Sequence, residues 1–204
     1  MPPGSICCPA ICAARSVIAE KFDPLRMLNE IQQHRITQLM LVPTMLSRLL
    51  DLLDSGVPAN LSSLRRVSYG TAPTSVELIE RALRHFGPIL RQQYGMTEAV
   101  QPLAVLYPHD HVSDGSAAQR KRLSSCGKPT MNVSITIRNP ADQEVPSGEI
   151  GEIAIDHRGI GAVEFWRKPE LAAKSILQRP LLHGATWAIS MQMAICISSD
   201  ATRR

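Results

Sequence analysis

Between residues 92 and 98 the chain reads Gln-Gln-Tyr-Gly-Met-Thr-Glu, which gathers an aromatic ring, a glycine, a hydroxyl and a carboxylate. Each type suits an anionic ligand. Thr97 offers a hydroxyl to a phosphate oxygen. Glu98 offers a hard oxygen to Mg²⁺, an ion commonly held by one or two carboxylates plus substrate phosphates. Tyr94 offers a flat face to a base. Gly95, followed by Met96, lets the backbone turn sharply or approach a ligand closely. Together these parts suit a nucleotide. The same stretch also reads as an ordinary strand-to-loop turn hinged at Gly95, and short motifs match by accident.

A second turn strengthens the nucleotide reading. Leu64 to Tyr69 reads as a strand, and Gly70-Thr71-Ala72-Pro73 turns after it. Ile89 to Gln93 reads as the next strand, with Tyr94 to Glu98 after it. In parallel sheets, ligands bind beyond the carboxyl ends of the strands. Two such turns from successive strands line one crevice.

The elements that position these turns follow from apolar spacing. Arg15 to Glu20 reads as a short strand. Asp23 and Pro24 start a helix, as N-cap and first helical residue, with Leu25, Leu28 and Ile31 on one face. Ile36 to Val42 is an apolar run of strand length. Leu46, Leu49, Leu50 and Leu53 form one helical stripe after Pro43, with Gly56 as its C-cap. Thr74 and Glu77 predict a capping box before the stripe Ile79, Ala82, Leu83 and Phe86. Strands alternating with helices predict an α/β fold, part of a doubly wound parallel-sheet subdomain, over 15–122. Val100 to Leu106 reads as one more strand, and Pro108 to Arg122 as a polar loop. His109, Asp110 and His111 in that loop are a weak metal candidate, read first as solvated. Val133, Ile135 and Ile137 then alternate with polar residues, as do Ile153 and Ile155. This predicts an antiparallel hairpin within a small β subdomain over 123–204, which includes a short helix from Pro169 to Ile176. Residues 1–14 show no period.

The 204 residues carry 22 basic and 18 acidic side chains, a net charge of +4 spread along the chain rather than a nucleic-acid footprint. No apolar stretch reaches transmembrane length. The apolar patch Ile6 to Ala14 lacks a basic region before it, which argues against a signal peptide. Cys7, Cys8 and Cys12 have no histidine nearby to complete a zinc set, and a reduced, cytoplasmic chain is the simpler expectation.

Several segments together resemble the adenylate-forming enzymes, and within them the acyl-CoA synthetases (fatty-acid–CoA ligases). They are QQYGMTE at 92–98, YGTAP at 69–73, SCGKP at 125–129, PSGEIGEIAI at 146–155, FWRKPELAAKSI at 165–176 and LMLVPTMLSRLL at 39–50. The resemblance implies activation of a carboxylic (fatty) acid with ATP to an acyl-adenylate, followed by transfer to coenzyme A. It implies that Gly70, Thr71 and Ala72 lie against adenine and the acyl group, and that Tyr94 stacks on adenine. Thr97 would bind the α-phosphate and Glu98 would hold Mg²⁺, with Gly95 and Met96 completing that loop. Gln192 stands where the family's ribose-binding aspartate falls, and an amide hydrogen-bonds a hydroxyl without the charge. The family's lysine-bearing phosphate loop and its C-terminal lysine domain have no match in this sequence. The resemblance therefore implies the middle of a synthetase, weak or inactive alone, against the alternative of a non-catalytic module that holds adenine nucleotide. A serine hydrolase is excluded around Ser68, because Arg66 occupies the place of the first glycine of a nucleophile elbow.

Overall fold

A computed structural model describes residues 15–96, 102–131, 133–146, 148–156, 166–170 and 181–184. Helix α1 (Pro24–His34) starts as the sequence predicts: Asp23 is extended, and its carboxylate accepts from the Arg26 amide at 2.7 Å. Leu28 and Ile31 are buried, but Leu25 is half exposed at the margin of the stripe. Strand β1 (Gln38–Leu41) leads into α2 (Pro43–Asp54), whose Leu46, Leu49 and Leu50 have no exposed surface. Ser55 caps α2, and Gly56 follows it at φ +83°. Strand β2 (Arg66–Gly70), helix α3 (Val76–Phe86) and strand β3 (Leu90–Tyr94) complete the alternation.

Strands β1, β2 and β3 are parallel and adjacent in chain order. Right-handed crossovers between strands in that order place the linking helices on one face. Accordingly α2 packs against both α1 and α3. The core beneath them joins Leu28, Ile31, Leu46, Leu49 and Leu50 to the strand residues Leu41, Val67, Tyr69 and Leu90. Burying a leucine side chain contributes roughly 1.5–3 kcal/mol, so this face carries much of the stability. Ser68, Arg91 and Gln93 alternate with the core residues and are buried on the opposite face.

Beyond β3 the sheet changes direction. Strand β4 (Ala104–Leu106) is shorter than the expected Val100–Leu106 strand, since Pro102 and Leu103 lie outside it, and it runs antiparallel to β3. Strand β5 (Lys128–Pro129) pairs antiparallel with β4. Gly127 makes that second pairing possible. At φ +85°, a Cβ on it would lie 2.0 Å from the Val105 carbonyl carbon, closer than any side chain tolerates. A second sheet holds β6 (Ser134–Arg138), β7 (Glu152–Asp156) and β8 (Leu181–Gly184), all antiparallel. Ile135 pairs with Ile155 and Ile137 with Ile153, as the alternation predicts. The Asn139 side chain holds the intervening turn by accepting from the amides of Ala141 and Gln143, each at 3.0 Å.

Four local expectations require correction. Arg15 to Glu20 forms no strand, and all six residues are exposed, Ile18 at 89%. The cap of α3 is Ser75, whose hydroxyl accepts from the Leu78 amide at 3.3 Å, while Thr74 is buried one residue earlier. The Pro108–Arg122 stretch is not a plain loop. It contains a 3₁₀ turn (Pro108–Asp110) and helix α4 (Ala117–Arg122) with a full Ser116–Gln119 capping box, a pattern visible in the sequence as Ser-x-x-Gln. His111 is not solvated but buried. The predicted Pro169–Ile176 helix lies mostly outside the described residues, as do Cys7, Cys8 and Cys12.

Candidate nucleotide site

The register between β2 and β3 brings the two candidate turns together. Gly70 is the Cα partner of Gln93, so Thr71 and Tyr94 leave the sheet side by side at its carboxyl end. Gly70 is required there. A Cβ on it would sit 2.1 Å from the Gln93 carbonyl oxygen, which no side chain can shift to relieve. The strands therefore close against each other where the crevice begins.

Thr71 follows at φ +68°. A β-branched residue in the left-handed region is a genuine outlier. Such strain costs on the order of 1–3 kcal/mol, persists only where surroundings over-determine it, and clusters at ligand sites. Thr71, Ala72 and Pro73 are exposed. The turn is tied off by the Thr74 hydroxyl, which donates to the Ala72 carbonyl at 3.4 Å. The loop thus leaves the Thr71 hydroxyl and the Ala72 methyl exposed at the carboxyl end of β2.

The partner turn differs in character. Tyr94 is only 8% exposed and packs in a second apolar cluster with Leu103, Ala104, Cys126, Val133 and Ile135. Its ring joins the two sheets, and little of its face is open to a base in this arrangement. Gly95 is exposed beside it, and Met96 packs partly against the same cluster. Thr97, Glu98 and Gln192 lie outside the described residues. Among the described residues no group of three or more His, Cys, Asp or Glu side chains gathers for a metal ion.

Two histidines beside this region diverge. His109 is exposed and stacks on Tyr107, ring centroids 5.7 Å apart. His111 points inward. Its Nε2 lies 3.0 Å from the Tyr69 hydroxyl and its Nδ1 2.8 Å from the Tyr107 carbonyl oxygen. Sequence reasoning missed this contact. The available signal was the position of His111 only five residues past the buried Leu106, with Pro108 starting a tight turn between them.

The fold is that of an α/β protein whose two candidate turns lie side by side at the carboxyl ends of its parallel strands. Its sequence matches the profile of the AMP-binding enzymes over residues 4–162, and the chain belongs to that family. It is 36% identical over 159 residues to the medium/long-chain-fatty-acid–CoA ligase FadD8 of Mycobacterium tuberculosis, covering 78% of this chain and 26% of FadD8. It is 32% identical over 176 residues to a feruloyl-CoA synthase of an Amycolatopsis species, covering 84% of this chain and 33% of that enzyme. The chain thus spans about a third or less of the length of these relatives. Among solved structures, the amide bond synthetase McbA of Marinactinospora thermotolerans superposes with a TM-score of 0.70 at 33% identity, over 81% of this chain and 31% of McbA. The o-succinylbenzoate–CoA synthetase of Bacillus subtilis, in complex with its acyl-adenylate intermediate, superposes with a TM-score of 0.69 at 26% identity, over 86% of this chain and 33% of that one. Among the described residues no helix is long and apolar enough to cross a membrane.

Proposed function

We propose that this chain carries the adenylate-binding part of an acid–thiol ligase, which activates a carboxylic acid, a fatty acid by its similarity to FadD8, as an acyl-adenylate and passes it to coenzyme A. The observation that carries the reading is the Gly70–Gln93 register, which sets a strained, exposed Thr71 beside the Tyr94–Met96 turn at the carboxyl end of the parallel strands. The physical task there is to hold an adenosine monophosphate ester while two anions, carboxylate and α-phosphate, are brought together. The Gly70–Ala72 loop, with Thr71 at φ +68°, is the wall offered to the base and acyl group. Thr97 supplies a hydroxyl to the α-phosphate from the neighbouring turn. Mg²⁺, held by Glu98, would supply charge neutralisation between carboxylate and phosphate. Gln192 is the candidate for the ribose hydroxyls.

The test is ATP–pyrophosphate exchange with a panel of fatty acids, alongside calorimetry with AMP and a non-hydrolysable acyl-adenylate. Exchange above background that disappears in Glu98→Ala supports a ligase. Binding of the adenylate without exchange supports a nucleotide-holding module that is inactive alone. Binding of neither ends the reading.

A further inference from the structure

His111 is buried at 5% exposure, yet both its ring nitrogens are engaged. A carbonyl oxygen only accepts, so Nδ1 carries a proton and donates it to Tyr107. Burial pulls the imidazole pKa down, which keeps the ring neutral and leaves a lone pair on Nε2. Burial likewise pushes the Tyr69 phenol well above its ordinary range, so its hydroxyl keeps its proton and donates to that lone pair. The bond spans 42 residues of chain, from the turn after β4 back to the helix-facing side of β2. Tyr69 itself has no exposed surface and stands two residues before Thr71. Thr71 is therefore approached by a backbone fixed at two successive points: Tyr69 by its hydroxyl and Gly70 by its contact with Gln93.

We propose that Tyr69 and His111 are positioning residues for the Gly70–Ala72 loop: their hydrogen bond fixes the end of β2 and so holds Thr71 in its left-handed conformation at the crevice. The inference deepens the adenylate reading of that loop and rests on it for its link to ligand binding.

The experiment compares wild type with Tyr69→Phe, His111→Phe and His111→Gln. It reads the backbone chemical shifts of Gly70, Thr71 and Ala72, the imidazole ¹⁵N resonances, and AMP affinity by calorimetry. Wild type is expected to show the Nδ1-protonated tautomer. In Tyr69→Phe, which keeps the ring in the core, the shifts at 70–72 move while those of α2 do not. AMP binding weakens about three- to tenfold, as loss of one such bond implies. His111→Gln, whose amide oxygen can accept the hydroxyl proton, regains part of both. Unmoved loop shifts, or shifts spread evenly over the sheet and helices, overturn the positioning role. Wild type that binds no AMP while the loop shifts behave as described retires the nucleotide reading and leaves the anchor standing.

Discussion

Two regions of the five-stranded sheet are built by opposite rules. Where α1, α2 and α3 cover it, side chains follow their helix and strand periods, and Ile31, Leu46, Leu49, Leu50, Val67 and Leu90 have no exposed surface. At its carboxyl end, Thr71, Ala72 and Pro73 stand exposed, and Thr71 holds a backbone conformation that threonine disfavours. The covered face is where apolar burial stabilises the fold. The rim is where a locally unfavourable conformation is kept by its neighbours. Local conflict with propensity, confined to one loop of an otherwise consistent element pattern, is the feature that the proposed adenylate reading of this loop rests on.

The comparison makes its largest prediction on the covered face. Leu49→Ala opens a cavity in a fully buried site, and its urea unfolding free energy is expected to fall by about 2–5 kcal/mol. Nucleotide binding by the molecules that remain folded should be unchanged. A loss under 1 kcal/mol would show that the helix face is not where the stability lies. Gly70→Ala comes next, at the junction of the two regions. Its new Cβ meets the Gln93 carbonyl oxygen, so β2 and β3 must part. Overpacking of this kind costs about 1–3 kcal/mol. Unlike Leu49→Ala, it should also weaken AMP binding by the folded protein, measured by calorimetry below the unfolding transition of both variants.

The two regions were unequally legible in the sequence. The stripe Leu46, Leu49, Leu50 and the Asp23-Pro24 start could be read because helix period and cap chemistry are local. The adjacency of the two turns could be read, since parallel connections leave neighbouring strand ends on the same side. The Tyr69–His111 bond could not, because it joins residues 42 apart whose meeting depends on β4 folding back antiparallel to β3. Nor could the left-handed Thr71: glycine, asparagine and aspartate advertise positive φ, and threonine does not. Ser75 displaced Thr74 as the cap of α3 because Thr74 is drawn inward to close the turn onto Ala72. Two adjacent hydroxyl residues offer the same cap chemistry, and tertiary burial chooses between them.

Thr71→Gly sharpens the contrast with a smaller effect of opposite sign on the two properties. Removing the side chain relieves a left-handed penalty of roughly 1–2 kcal/mol. Glycine returns about 0.5–1 kcal/mol of that through the greater freedom of the unfolded chain. Stability by urea titration should therefore hold or rise by up to about 1 kcal/mol, while AMP affinity falls. A variant that loses both stability and affinity would show that Thr71 serves the fold and not the crevice.

The smallest effect belongs to a surface cluster on the covered side. Asp54 ends α2, where the negative pole of the helix dipole disfavours a carboxylate. Two side chains on α3 offset this: His85 Nε2 approaches one carboxylate oxygen at 2.6 Å, and the Arg81 guanidinium approaches the other through Nη2 at 2.6 Å. The His85 hydrogen bond, and then the Arg81 bond, hold the Asp54 carboxyl below the usual carboxylate range. A carboxylate whose pKa is depressed on folding stabilises the folded state above its unfolded pKa, near 4, and loses that contribution as pH falls through the folded value. The difference in urea midpoint between wild type and Asp54→Asn should thus be small at about pH 5, and should shrink steadily below about pH 4. It should also shrink in high salt, since the cluster is exposed and screened. A difference that grew on acidification would mean that the helix dipole, not the contacts to α3, sets the energy of this carboxylate.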